Sequence, residues 1–125
     1  MNEKNFKTVK RLGLVSATSK AKWRELTRAV MSLKGFQPLA CEKSIHETEH
    51  KAVFGFYDWE CLRLGSSSRI EWLDIDPIER IDRGRLVSKE LIDHSEEICE
   101  IFEKYSIHYS VEGKIFRVWG YFTSK

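Results

Sequence analysis

The chain has 125 residues, of which 42% are apolar and 32% charged, with a formal net charge of +2. This composition is typical of one globular domain and excludes disordered and fibrous proteins. No apolar run reaches the length of a membrane span, and residues 1–5 lack the pattern of a secretory signal, so we expect a cytoplasmic protein without membrane contact.

Residues 1–17 show no clear period and are predicted to form an N-terminal arm, anchored by Phe6, Val9, Leu12 and Leu14. Residues 18–125 are predicted to form a single α+β domain. Its first element is an amphipathic helix, capped by Ser19 and closed at Lys34-Gly35. The apolar face of this helix carries Trp23, Leu26, Val30 and Leu33.

A β-hairpin is predicted next. The alternation from Leu39 to Ile45 favours one strand, the aromatic run over residues 52–57 favours its returning partner, and residues 46–50 read as the turn. After a Gly-Ser loop, residues 70–76 predict a central strand with apolar groups on both faces, which Pro77 ends. The charged residues 79–85 are predicted to be an irregular loop.

A second helix is predicted from Ile98, Ile101, Phe102 and Tyr105, with Asp93 and Glu96 as a capping box and residues 91–92 as an earlier turn. A terminal hairpin over 107–111 and 114–122 turns at Glu112-Gly113. This order of elements predicts an α+β fold: a mainly antiparallel sheet of four to six strands with two principal helices packed on one side.

Charge is distributed unevenly along the chain. Residues 1–34 hold nine Lys or Arg and two Glu, whereas the remainder holds twelve basic and seventeen acidic residues. The basic segment either serves an acidic partner or nucleic acid, or lies against its own acidic domain. A nucleic-acid interface would use Lys20, Arg24 and Arg28. We disfavour this alternative because Trp23 falls on the apolar face and the acidic remainder repels a polyanion.

Asp74-x-Asp76 places two carboxylates on one side of a strand exit, where they could share a divalent cation. Glu71 points the other way and would not complete such a site. We therefore expect an acidic strand exit in water, with a metal-dependent enzyme using this exit as an alternative function.

His46 and His50 have the spacing of metal ligands on a helix, but they flank a predicted turn, so we predict no metal or cofactor site. The three cysteines are odd in number and form no C-x-x-C pair, which favours reduced thiols in a cytoplasm. Neither Cys41 nor Cys61 lies in a recognisable catalytic motif. Nucleotide-binding and hydrolase motifs are missing.

Five short segments carry a resemblance that covers most of the chain. They are Lys22-Trp23-Arg24-Glu25-Leu26, Glu71-Trp72-Leu73, Gly84-Arg85-Leu86-Val87, Ile92-Asp93-His94 and Arg117-Val118-Trp119-Gly120-Tyr121. In these segments the chain resembles a family of small uncharacterised bacterial proteins, which implies no biochemical role. In size and composition it is also similar to cytoplasmic immunity proteins, which neutralise toxin domains delivered by neighbouring bacteria.

The leading hypothesis is a non-enzymatic protein-binding domain, most concretely an immunity protein that binds and inhibits a bacterial toxin domain. Such a protein needs a stable scaffold and a charged surface that covers a site on its partner. Loops held by rigid elements are favoured binding positions. The predicted partner-binding residues are Asp74, Asp76, Glu79, Arg80 and Arg83.

Overall fold

The computed structural model describes residues 2–123. Met1 of the predicted arm, and Ser124 and Lys125 at the end of the predicted domain, lie outside the described residues. The helices are α1 (Glu3–Leu12), α2 (Lys20–Met31), α3 (Trp59–Arg63) and α4 (Ser95–Lys104), with a 3₁₀ turn at Ser66–Arg69. The strands are β1 (Leu14–Ser16), β2 (Leu39–Ser44), β3 (Ile70–Asp76), β4 (Ile78–Ile81), β5 (Glu90–Asp93), β6 (Tyr109–Glu112), β7 (Ile115–Trp119) and β8 (Tyr121–Thr123).

The main sheet has four antiparallel strands in the order β2-β3-β7-β6, so that β3 is an interior strand, as predicted from its apolar residues, and β7 is the other. Two smaller antiparallel pairs, β1 with β8 and β4 with β5, complete the strands of the described chain. The predicted α+β class with a mainly antiparallel sheet is confirmed. No helix within residues 2–123 is long and apolar enough to cross a membrane.

One face of the main sheet builds the core. Leu73 of β3 and Val118 of β7 are paired across the sheet and fully buried, and they belong to the same cluster as Leu26 of α2 and Phe102 of α4. Burying a side chain of this size contributes about 1.5–3 kcal/mol relative to leaving it in water. The helices are therefore held against the sheet mainly by apolar contact.

Local sequence signals predict the positions of α2 and of the last hairpin to within a few residues. The Ser19 hydroxyl accepts a hydrogen bond from the Lys22 amide (3.1 Å) as predicted, although α2 ends at Met31, three residues before Lys34. Glu112 pairs with Ile115, so the hairpin turns one residue later than predicted, with Gly113 at φ +65°. The predicted capping box of α4 is wrong, because the Asp93 carboxylate accepts from the Ser95 amide and hydroxyl instead.

The predicted hairpin between 39–45 and 52–57 is wrong. Residues 51–57 form no strand, and their β-type backbone pairing with β2 is limited to one bridge, between Ala40 and Gly55. The partner of β2 is β3, with which it forms a ladder from Leu39 opposite Asp76 to Ser44 opposite Ile70. A ladder along the whole strand satisfies more backbone groups than the local turn could.

The charged segment after Pro77 is also more regular than predicted. The predicted irregular loop is wrong for residues 79–81, and so is the predicted turn at 91–92, because Ile78–Ile81 pairs with Glu90–Asp93 in an antiparallel ladder, whereas residues 82–85 are irregular as predicted. Residues 82–89 form the tip of this pair, and all of them are exposed. We call β4, β5 and this tip the ribbon.

Residues 3–12 of the predicted arm form a helix whose anchors are polar. Phe6 and Leu12, two of the expected apolar anchors, are exposed, whereas Asn5 and Thr8 are buried. Asn5 Nδ2 donates to Ser68 Oγ (2.8 Å), and Asn5 Oδ1 lies 2.6 Å from His46 Nε2. Hydrogen bonds therefore hold α1, which is why no apolar period marks it.

We expect Gly120→Ala to lower the free energy of unfolding by about 3 kcal/mol, the upper part of the range for overpacking. A Cβ atom at this position would lie 2.1 Å from the Ile70 carbonyl oxygen, because β8 crosses close to β3. Gly55→Ala is the matched control, since nothing lies within 4 Å of its Cβ, and it should change stability by less than about 0.5 kcal/mol. Urea unfolding of both variants measures this, and equal losses would contradict the close approach.

Candidate functional site

The side of the main sheet opposite the core, which we call the outer face, carries polar and aromatic side chains in register. Cys41, Asp74 and Arg117 are neighbours across β2, β3 and β7, and Trp72 is opposite Trp119. Residues paired across a sheet project to the same side, so these side chains form one continuous surface.

A buried ion pair is the centre of the outer face. Arg117 Nε and Nη2 donate to the two carboxylate oxygens of Asp74 at 2.8 and 3.1 Å, and the Asp74 side chain is only 5% exposed. The hydrogen bonds to Asp74 raise the pKa of Arg117, although burial opposes this. The guanidinium carbon lies 4.2 Å from the Trp72 ring centroid. The predicted exposed acid Asp74 is therefore a buried, neutralised group.

A second cation contacts the same ring. Lys43 Nζ lies 5.2 Å from the Trp72 centroid and 2.6 Å from Glu71 Oε1. Each of the two cations beside Trp72 thus has its own carboxylate, which limits the net charge that the outer face presents to a ligand.

The structure assembles a cysteine, a histidine and a carboxylate that sequence reasoning did not connect. Cys41 Sγ lies 3.9 Å from His50 Nε2, and His50 Nδ1 lies 3.0 Å from Glu47 Oε2. The order of these three side chains resembles that of a catalytic triad, in which a nucleophile contacts a base and an acid orients the base. However, burial raises the pKa of the Cys41 thiol, and Cys41 lines none of the four cavities found among the described residues. The Cys41 thiol is therefore packed within the protein and uncharged.

The two histidines of the predicted turn separate. His50 faces Cys41 and Glu47, whereas His46 Nδ1 lies 3.2 Å from Thr8 Oγ1 and bonds Asn5 through its other nitrogen. Among residues 2–123, no group of three His, Cys, Asp or Glu side chains is arranged to hold a metal ion.

Asp76 is occupied by protein groups at the start of the ribbon. Its Oδ1 accepts from the Ile78 amide (3.0 Å), and its Oδ2 accepts from Arg80 Nη1 (2.7 Å). Asp74 and Asp76 thus bind different arginines and do not share an open position for a cation. The expectation of an acidic strand exit in water is wrong, because both carboxylates are buried.

His94 ties the ribbon to the body of the domain. Its Nε2 lies 2.8 Å from Glu79 Oε1 in β4, and its Nδ1 lies 2.8 Å from Glu97 Oε1 in α4. The imidazole stacks on Phe36 with 4.0 Å between ring centroids. Burial lowers the pKa of His94, but the hydrogen bonds to Glu79 and Glu97 outweigh it and raise the pKa above the ordinary 6.5.

The ribbon exposes apolar side chains that the sequence pattern had not singled out. Leu86 at the tip is 95% exposed, and Val87 and Leu91 are also exposed. Phe56, 99% exposed, lines a groove of about 340 Å³ together with Ile78, Arg80 and Lys89. Of the predicted partner-binding residues, Glu79 and Arg80 also line this groove, and Arg83 binds Glu90 within the ribbon at 2.6 Å. The five predicted residues therefore divide between the outer face, which holds Asp74, and the ribbon with its base.

The comparisons with known proteins give a family without an activity. Residues 6–125 match the family of unknown function DUF6678. The chain belongs to this family. No curated protein and no solved structure matches it. The match includes the outer face and the ribbon of this DUF6678 protein, and the expected resemblance to an uncharacterised family is confirmed.

In this DUF6678 chain we expect Arg117→Gln to lower the free energy of unfolding by about 3–5 kcal/mol, because it leaves the buried Asp74 carboxylate without a cation. The matched control is Arg83→Gln, which removes the exposed pair with Glu90 and should cost less than about 1 kcal/mol. Adding Asp74→Asn to Arg117→Gln should restore part of the loss. Equal effects of the two arginine substitutions in urea unfolding would rule out a central role for this pair.

We expect the stability supplied by His94 to depend on pH. Because its pKa is raised in the folded state, its contribution is complete below the ordinary value of 6.5 and is lost as pH rises through the folded pKa. The difference in unfolding free energy between the wild type and His94→Gln should therefore shrink from pH 5.5 to pH 9. His108→Gln, at an exposed histidine, is the control. A difference that stays constant with pH would show that His94 carries no proton between its two carboxylates.

Proposed function

We propose that this chain is a non-enzymatic protein-binding domain that contacts its partner through the ribbon, and that the partner is a bacterial toxin domain which the chain neutralises as an immunity protein. The observation that carries the proposal is the nearly complete exposure of Phe56 and Leu86, at 99% and 95%. Side chains of this size bury a large apolar area when a partner covers them.

Single exposed apolar residues are common, so the grouping matters more than either residue. Leu86, Val87 and Leu91 belong to one short ribbon, and Phe56 lines the groove that reaches the ribbon at Lys89. A projecting apolar tip beside a groove has the form of a small binding surface with anchor residues near its centre.

The charges of the ribbon define the chemistry of the partner. Arg80 and Arg83 are neutralised by Asp76 and Glu90, whereas Arg85, Lys89 and one acid, Asp82, form no ion pair with the described residues, so that the unpaired charge of the tip is net positive. These two cations flank Leu86 and Val87 in the sequence of the tip. A partner that matches this surface has an apolar recess rimmed by acidic groups.

The base of the ribbon supports binding because it is fixed at several points. Asp76 binds Arg80, His94 binds Glu79, and the Pro77 carbonyl accepts from the His94 amide at 3.0 Å. A rigid base holds the exposed tip in a limited set of positions, and this lowers the entropy lost on association.

Neither alternative function, a metal-dependent enzyme or a nucleic-acid interface, is supported by exposed groups of the required chemistry at the predicted residues. For a metal-dependent enzyme, the carboxylates of Asp74 and Asp76 are already bound by Arg117 and Arg80. For a nucleic-acid interface on α2, Trp23 is buried in the core and offers no stacking surface.

We expect the purified chain to bind the protein encoded by the reading frame adjacent to its own gene, and Leu86→Asp to weaken that complex about 30-fold or more, because an apolar anchor is worth about 2 kcal/mol or more. Leu64→Asp is the matched control: Leu64 is also exposed but follows α3, away from the ribbon. It should change the dissociation constant less than about threefold. Isothermal titration calorimetry measures both variants.

Sedimentation of the chain alone separates this proposal from self-association through the ribbon. The proposal is supported if the chain is a monomer, binds the neighbouring gene product, and loses affinity on Leu86→Asp but not on Leu64→Asp. A dimer that Leu86→Asp dissociates, or equal effects of the Leu86 and Leu64 substitutions, would contradict it.

A further inference from the structure

The lysines and arginines of the basic segment 1–34 form no ion pair with the acidic remainder among the described residues. The two ion pairs of this segment within the described residues are local, Lys7 with Glu3 and Arg28 with Glu25. The other seven lysines and arginines of the segment form no ion pair with a described residue. This region therefore presents positive charge that its own domain does not neutralise.

A cavity of about 140 Å³ lies where α2 begins, beside the 3₁₀ turn and β8, and we call it the serine cavity. Its lining includes Lys20, Ser67 and Ser68. A second opening of about 360 Å³ shares Lys20 and Ser68 with it and adds Asn5 and Arg69. No Asp or Glu lines either space among the residues described.

The hydrogen bonds around the serine cavity leave donors available. Ser68 Oγ accepts from Asn5 Nδ2, so its own proton is free. Ser67 is 95% buried, lines the cavity, and its hydroxyl takes part in none of the side-chain hydrogen bonds that join this turn to α1 and β8. Lys20 has no carboxylate partner in the described chain. By contrast, Arg69 is bound by Glu42 at 2.9 Å.

The start of α2 lies beside the serine cavity, which Lys20 lines. The 12-residue helix begins at Lys20, and the Ser19 hydroxyl accepts the hydrogen bond of the Lys22 amide. The first helical hydrogen bond of α2 is donated by the Trp23 amide to the Ser19 carbonyl. The amides of Lys20 and Ala21 come before it and have no partner within the helix. Free amides and the positive end of the helix dipole favour an anion.

We propose that the serine cavity binds the phosphate group of a small phosphomonoester. One lysine and two serine hydroxyls, without a carboxylate, are suited to a tetrahedral oxyanion. A water molecule occupies about 30 Å³ of liquid, so the cavity of about 140 Å³ has room for a group as large as several water molecules. The second opening would hold the organic part of the ligand. This site is independent of the ribbon.

The test is a titration of the full chain with inorganic phosphate and with adenosine 5′-monophosphate, followed by amide NMR shifts. We expect saturable shifts at Lys20, Ala21, Ser67 and Ser68. Lys20→Gln should weaken binding about tenfold, because it removes a charge-assisted hydrogen bond to the phosphate group. Ser67→Ala should weaken it about threefold, because it removes one neutral donor.

Arg24→Gln is the matched control, because it removes the same charge from an exposed position on the same helix. It should change the affinity less than about twofold. A single-stranded oligodeoxynucleotide without terminal phosphates distinguishes phosphodiesters as the source of the phosphate group. Equal effects of Lys20→Gln and Arg24→Gln, shifts that do not saturate, or Lys20-dependent binding of the oligonucleotide alone would each overturn the proposal.

Discussion

The pairing of Asp74 with Arg117 constrains the structure more than any other polar contact on the main sheet. Asp74 lies on an interior strand, and its carboxylate is almost shielded from water, so an uncompensated charge there would cost several kcal/mol. Arg117 must therefore lie opposite it on β7, with Val118 facing Leu73 in the core. A register slip of one residue would bring Asp74 into the core and expose Leu73, so the ion pair and the apolar contacts specify the same register.

This register also explains why a polar and aromatic outer face presents so little reactivity. Arg117 and Lys43 contact Trp72, but each is neutralised by a carboxylate, and the Cys41 thiol is held neutral by burial. The groups with unused binding capacity lie elsewhere: apolar side chains on the ribbon, and Lys20 at the start of α2 with the serine hydroxyls of the neighbouring 3₁₀ turn. We infer that the chain separates a saturated scaffold from two surfaces that interact with other molecules.

Several elements with local signals were predicted from the sequence, whereas the contacts that depend on a distant partner were not. The Ser19 cap, the apolar face of α4 and the positive φ of Gly113 each depend on neighbouring residues, so they could be predicted. The partner of Asp74 lies 43 residues away in the sequence, and no spacing rule connects them. The candidate site was therefore predicted in part: the ribbon position was indicated by its charges, but its strands and exposed leucines were not.

Native-state hydrogen exchange of the isolated chain tests most directly whether the ion-paired sheet is the rigid scaffold and the ribbon a separable appendage. The account predicts that the interior amides of β3 exchange only through global unfolding, with the free energy that denaturant unfolding gives. It predicts that the ladder amides of β4 and β5 exchange through local opening at a clearly lower free energy. Ribbon amides as protected as those of β3, or β3 amides that exchange through local opening, would contradict it.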